Sequence, residues 1–135
     1  MSRTTLDHTA DTGIEATAPT LPALIEELAT GMFELMAPVE PCPPDGVVET
    51  TVSADSAEEL VVDALADLLY LAEVEDLHLC RFDVEVSGLE VRIRAEGMPI
   101  AKVKATGPPI KAVTYHRLEA TESEEGWYGR VYFDV

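Results

Sequence analysis

The chain is short of positive charge. Arg3 is the single Lys or Arg before Arg81, and the 135 residues carry 9 Lys plus Arg against 26 Asp plus Glu, a formal net charge of −17. A surface of that sign repels phosphate backbones over most of the molecule, which disfavours tight, direct RNA or DNA binding. Cysteine is equally scarce. Cys42 and Cys80 stand far apart and form no CxxC pair, so neither a zinc site nor a dense disulfide framework is suggested, and two buried or free thiols are the plain expectation. No apolar run approaches the ~18 residues that cross a bilayer, and no signal-peptide pattern opens the chain, so a soluble, cytoplasmic protein is expected, with no membrane partner. There is no Walker-type or GxGxxG phosphate loop. Ser2, Ser53, Ser56, Ser87 and Ser123 fall in a tail, a cap or turns, none within a GxSxG elbow. The usual equipment of an independent nucleotide-using or serine-nucleophile enzyme is missing.

What is present is enough for a core. Hydrophobic residues make up 47% of the chain, and the length fits one domain over residues 1–135. Ile14, Ala16 and Ala18 alternate with Glu15 and Thr17, predicting a half-buried strand. Thr20 can cap a helix with Pro22 in its first turn, and Leu21, Leu24, Ile25, Leu28, Met32 and Leu35 form its apolar stripe. Residues 37–46, "APVEPCPPDG", hold four prolines and a glycine and read as a loop. Alternation at Val48, Thr50 and Val52 predicts a strand, and Ser56 to Glu59 supplies a capping box for a helix over residues 57–72. Its acids Glu58, Asp63 and Asp67 read as a solvated face. A hairpin follows, turning at Ser87-Gly88, and the last third offers two strands around the polar turn "ESEEG". The expected class is α+β: two amphipathic helices packed on one or two mainly antiparallel sheets.

Two polar groups sit at strand edges: "DHTAD" with Asp7, His8 and Asp11, and the closing "FDV" with Asp134 and the α-carboxylate of Val135. A fold that pairs the terminal strands would bring these anions together. Like charges that close need a cation, and carboxylate oxygens suit hard divalent ions such as Mg²⁺, Ca²⁺ or Mn²⁺. On spacing alone the opening cluster is equally readable as the hydrogen-bonded edge of a strand. In "KAVTYH", alternation sets Lys111 and Tyr115 on one strand face and Thr114 and His116 on the other, so they cannot all meet one ligand without a bend.

"DHTADTGIEA", a helix ending in "MFELM", "IKAVTYH" and a closing "GWYGRVYFDV" follow one another over almost the whole chain, and in this order the chain resembles the archease family. The resemblance implies a small acidic activator of the RtcB-type RNA ligase, promoting ligase guanylylation and multiple turnover in tRNA splicing and RNA repair. The ligase carries the nucleotide chemistry, and RNA is met only through it. It also implies a divalent-metal site. By motif position Asp11, Asp134 and the Val135 carboxylate would hold the ion, with Asp7 and His8 in supporting positions. The chain departs from the family's pattern after the hairpin, where "EGMPIAKVK" puts Met98 and Ile100 in place of polar character. Two readings from other classes compete with the activator: an independent metal-dependent hydrolase with His8 as base, and a metal-independent, chaperone-like binding module.

Overall fold

The computed structural model describes residues 1–7 (residues 6 and 7 by their backbone alone) and residues 12–135. Seven strands and two helices run in the order β1 (Ser2–Asp7), β2 (Thr12–Ala18), α1 (Leu21–Met36), β3 (Gly46–Ser53), α2 (Ala57–Glu75), β4 (Leu77–Ser87), β5 (Glu90–Pro99), β6 (Ala112–Ser123) and β7 (Gly126–Asp134). They form a four-stranded sheet ordered β1-β2-β7-β6 and a three-stranded sheet ordered β3-β5-β4. Every strand pairing is antiparallel. Both helices touch strands of both sheets, so they form a middle layer between them. The α+β expectation is met.

Local chemistry accounts for most element ends. The Ala23 N–H donates to Thr20 Oγ1 (3.3 Å) at the start of α1, and the Glu59 N–H donates to Ser56 Oγ (3.2 Å) at the start of α2. The α1 stripe of Leu24, Ile25, Leu28 and Met32 is wholly buried, with Leu60, Leu65 and Leu68 of α2 beside it. Gly88, at φ 61°, opens the two-residue turn between Ser87 and Glu90, as a type II′ hairpin requires.

Four expectations need correction. Ser2 lies not in a tail but at the start of strand β1. Its residues lack a clear apolar alternation, and pairing with β2 supplies the structure. Arg3 then ties β1 to α1 through Glu27 (2.6 Å) and Glu34 (2.8 Å), which hold the guanidinium firmly protonated. The α2 acids are not a freely solvated face. Asp67 accepts from the Thr50 hydroxyl and Asp63 from Tyr115 (3.3 Å), because β3 and β6 partly cover that side of the helix. The helix itself runs on to Glu75. Finally, Cys42 and Cys80 are not free thiols but a disulfide, with Cα atoms 6.1 Å apart. The proline-rich loop folds back across β4, an encounter that 38 residues of sequence separation conceal.

Candidate functional site

Sheet register decides which polar groups can meet. β1 and β2 pair from Ser2↔Thr17 to Asp7↔Thr12, and β2 pairs with β7 from Ala18↔Trp127 to Thr12↔Phe133. The strand ends that lead into and out of residues 8–11 therefore lie at the same end of the sheet as Asp134. On the other side of β7, Ala112 stands opposite Asp134, and the Lys111 N–H donates to the Asp134 carbonyl (2.8 Å). The Asp134 and Val135 side chains are exposed. His8 and Asp11 lie outside the described residues, and Asp7 is described only as the last residue of β1. Among the described residues, no three His, Cys, Asp or Glu side chains lie close enough to hold a metal ion.

A bend does interrupt the strand at the end of "KAVTYH", without bringing its four polar residues to one place. Where β7 steps from Tyr132 to Arg130, β6 steps from Thr114 to Glu119, so residues 115–118 bulge out of the ladder. Arg117 holds a left-handed backbone at φ 51°, which costs a non-glycine residue about 1–2 kcal/mol. Three hydrogen bonds fix the bulge: Thr114 Oγ1 donates to the Tyr132 carbonyl (3.0 Å), the His116 N–H donates to Thr114 Oγ1 (3.3 Å), and Arg130 Nε donates to the Arg117 carbonyl (2.9 Å). The His116 ring meets the Tyr132 ring edge-on at 5.7 Å, and the Arg117 guanidinium lies over the same ring, 5.9 Å from its centroid. Tyr132 is 4% exposed although it lies on the outer face of its strand. Its ring also packs on Gly13, where an added Cβ would sit 2.7 Å from Tyr132 Cδ1.

Tyr115 parts from Thr114 and His116, as alternation assigned them. Tyr115 turns to α2, where the Asp63 carboxylate raises its pKa, while Thr114 and His116 face Tyr132. Nothing in the sequence singles out Arg117 and Tyr132, because a strand pattern gives no sign of a positive φ or of a covering bulge. Met98 is a core residue of β5, 9% exposed, so of the two apolar departures only Ile100 is available at the surface.

Residues 4–135 match the Archease protein family (MTH1598/TM1083). Protein archease of Methanosarcina barkeri is 34% identical over 138 residues, covering 96% of this chain and 93% of the relative. Protein archease of Pyrococcus abyssi is 26% identical and covers 96% of this chain and 95% of the relative. Among solved structures, Methanobacterium thermoautotrophicum protein 1598 superposes with a TM-score of 0.80 at 22% identity, covering 98% of both chains. A Thermotoga maritima protein described as an archease and possible chaperone superposes with a TM-score of 0.68 at 22% identity, over 100% of this chain and 98% of that one. At that identity the two structures speak for the fold alone.

Proposed function

Because the chain belongs to the archease family, we propose that it is a non-catalytic, metal-binding activator of an RtcB-type RNA ligase, acting in the cytoplasm on ligase guanylylation and turnover in tRNA splicing and RNA repair. The observation that carries the reading is the Thr12↔Phe133 pairing, which sets the chain entering β2 beside the chain leaving β7. Asp11 precedes the one and Asp134 follows the other in sequence. With the Val135 carboxylate they form an all-oxygen donor set suited to a hard divalent ion, Ca²⁺, Mg²⁺ or Mn²⁺, and Asp7 and His8 orient it. Such an ion, when bound, supplies the positive charge that lets several carboxylates share one place.

An activator needs no nucleophile. It needs only higher affinity for the nucleotide-competent state of the ligase than for the other state. A body of net charge −17 also complements a basic RNA-binding cleft, so the association weakens as salt rises. The test measures ligase guanylylation and multiple-turnover ligation with wild type, Asp11→Ala and Asp134→Ala. Each variant should lower activation by at least about 10–100-fold, the loss seen when a group that only orients a metal ligand is removed. Wild-type activation by both variants overturns the metal site, and absence of activation by the wild type overturns the ligase reading. Phosphoester hydrolysis by the protein alone would instead indicate the hydrolase.

A further inference from the structure

The nine cations of this chain are not spread evenly. Residues 97–118 contain no Asp or Glu, yet carry Lys102, Lys104, Lys111 and Arg117. All 26 acids lie outside that stretch. Arg3, Arg94 and Arg130 are paired with carboxylates, and among the described residues Arg117 makes no such pair. The neighbouring Glu119 carboxylate goes to Arg130 (3.4 Å), and Arg130 Nε in turn donates to the Arg117 carbonyl.

A bulge that only had to bend β6 would be best served by glycine at the positive-φ position. An arginine stands there instead, its guanidinium laid over an aromatic ring, its carbonyl held by Arg130, and the bulge around it fixed by two further hydrogen bonds at Thr114 and His116. Strain kept at a preorganised cation is the arrangement expected of a binding group. The planar fork on Tyr132 can give two parallel N–H donors to an oxyanion, and less side-chain freedom is lost on binding than from a free arginine.

We propose that the β6 bulge is a phosphate-binding subsite, in which Arg117 is the main donor, His116 a second contact, Tyr132 the platform, and the ligand a terminal phosphate on an RNA end or on a nucleotide. The subsite lies at the end of the sheet that also carries Asp134, and it deepens the ligase-activator reading: the activator touches the phosphate that the ligase processes. The proposal concerns a local contact and leaves the mainly repulsive surface as it is, so binding by the protein alone is weak and salt-sensitive.

The test is an amide-resolved NMR titration of the whole chain in EDTA, so that no divalent ion at Asp134 can bridge the phosphate. It does not involve the ligase, so failure here and failure of the activator reading are separate results. The probes are a short single-stranded RNA with a 3′-phosphate, the same RNA with a 3′-hydroxyl, and GTP. Saturable shifts at Thr114, His116 and Arg117 with the 3′-phosphate RNA, with GTP, or with both are expected, and which probe saturates identifies the source of the phosphate. Arg117→Gly should weaken binding about tenfold, the loss expected for one charge-assisted hydrogen-bonding group, with an equal or higher Tm because the left-handed strain is relieved. Arg117→Lys should keep part of the affinity. Undiminished binding by Arg117→Gly, saturable binding of the 3′-hydroxyl RNA as tight as that of the 3′-phosphate RNA, or no saturable shift with any probe would overturn the subsite.

Discussion

Two long hairpins of this molecule solve the same problem differently. β4–β5 pairs from Ser87↔Glu90 to Leu77↔Pro99 with one irregularity between Leu79 and Arg81, and its inner face places Phe82, Val91, Ile93 and Ala95 in the core. β6–β7 leaves the ladder between Thr114 and Glu119 and places a strained arginine and a histidine over an outward tyrosine. The first hairpin is built for stability, and from Arg81 to Ala95 its residues largely alternate between core and surface. The second accepts a local conflict, and such conflicts gather where a surface has something to bind.

The sharpest way to break that contrast is Phe82→Ala. Phe82 is 7% exposed and stacks on Phe33 of α1 at 5.8 Å, so its removal should destabilise the protein by about 3–5 kcal/mol in urea unfolding. Arg117→Gly should leave stability unchanged or raise it. Equal costs at the two positions would mean that the hairpins do not divide the work in this way.

The next largest effect tests whether the regular hairpin is tied from outside. Cys80 of β4 holds Cys42 of the proline-rich loop, closing a loop of 38 residues. Reduction, or the pair Cys42→Ser and Cys80→Ser, should lower the unfolding free energy by about 2–4 kcal/mol, with the same Tm for reduced wild type and double variant. A mass measurement of protein taken from its native cells under thiol-trapping conditions reports which state the cell holds. Stability indifferent to reductant would mean the loop is held by packing alone.

How much of this could be read from the sequence follows the same division. Where side-chain period matches element period, as in α1, α2 and β4–β5, the residues themselves announce burial and capping. The pairing of opening and closing strands was expected only as a condition on the fold, because register between segments over a hundred residues apart is a tertiary fact. Arg117 looked like one more polar residue of an alternating strand. Its role depends on how β6 slips against β7, which no local pattern encodes. Cys42 and Cys80 were likewise unreadable as a pair, since nothing near either one specifies the route of the proline-rich loop. For the proposed metal site, the residues themselves marked two anionic strand edges, while the choice of Asp11 and Asp134 within them came from the family motifs, as Asp-x-x-x-Asp spacing is common to many unrelated chains.

The smallest effect concerns the stable side of the comparison and its one buried polar group. His78 of β4 is 6% exposed, meets Phe33 edge-on at 5.7 Å, and bonds the Ala37 carbonyl through Nε2 (3.1 Å). Burial pushes its pKa below the ordinary histidine value, opposed by the carbonyls of Ala37 and Pro38, so the ring is neutral and its Nε2–H donates at neutral pH. In the unfolded chain the same ring takes up a proton near pH 6.5, where the folded protein still resists it. The contribution is therefore intact above that pH and is lost as the pH falls from about 6.5 to the lowered value, below which it is level. His78→Gln keeps an N–H donor without the titration. The stability advantage of wild type over this variant should shrink between pH 8 and pH 5, measured by urea unfolding at each pH, and a constant difference would mean that the Ala37 contact holds the ring equally well in both charge states.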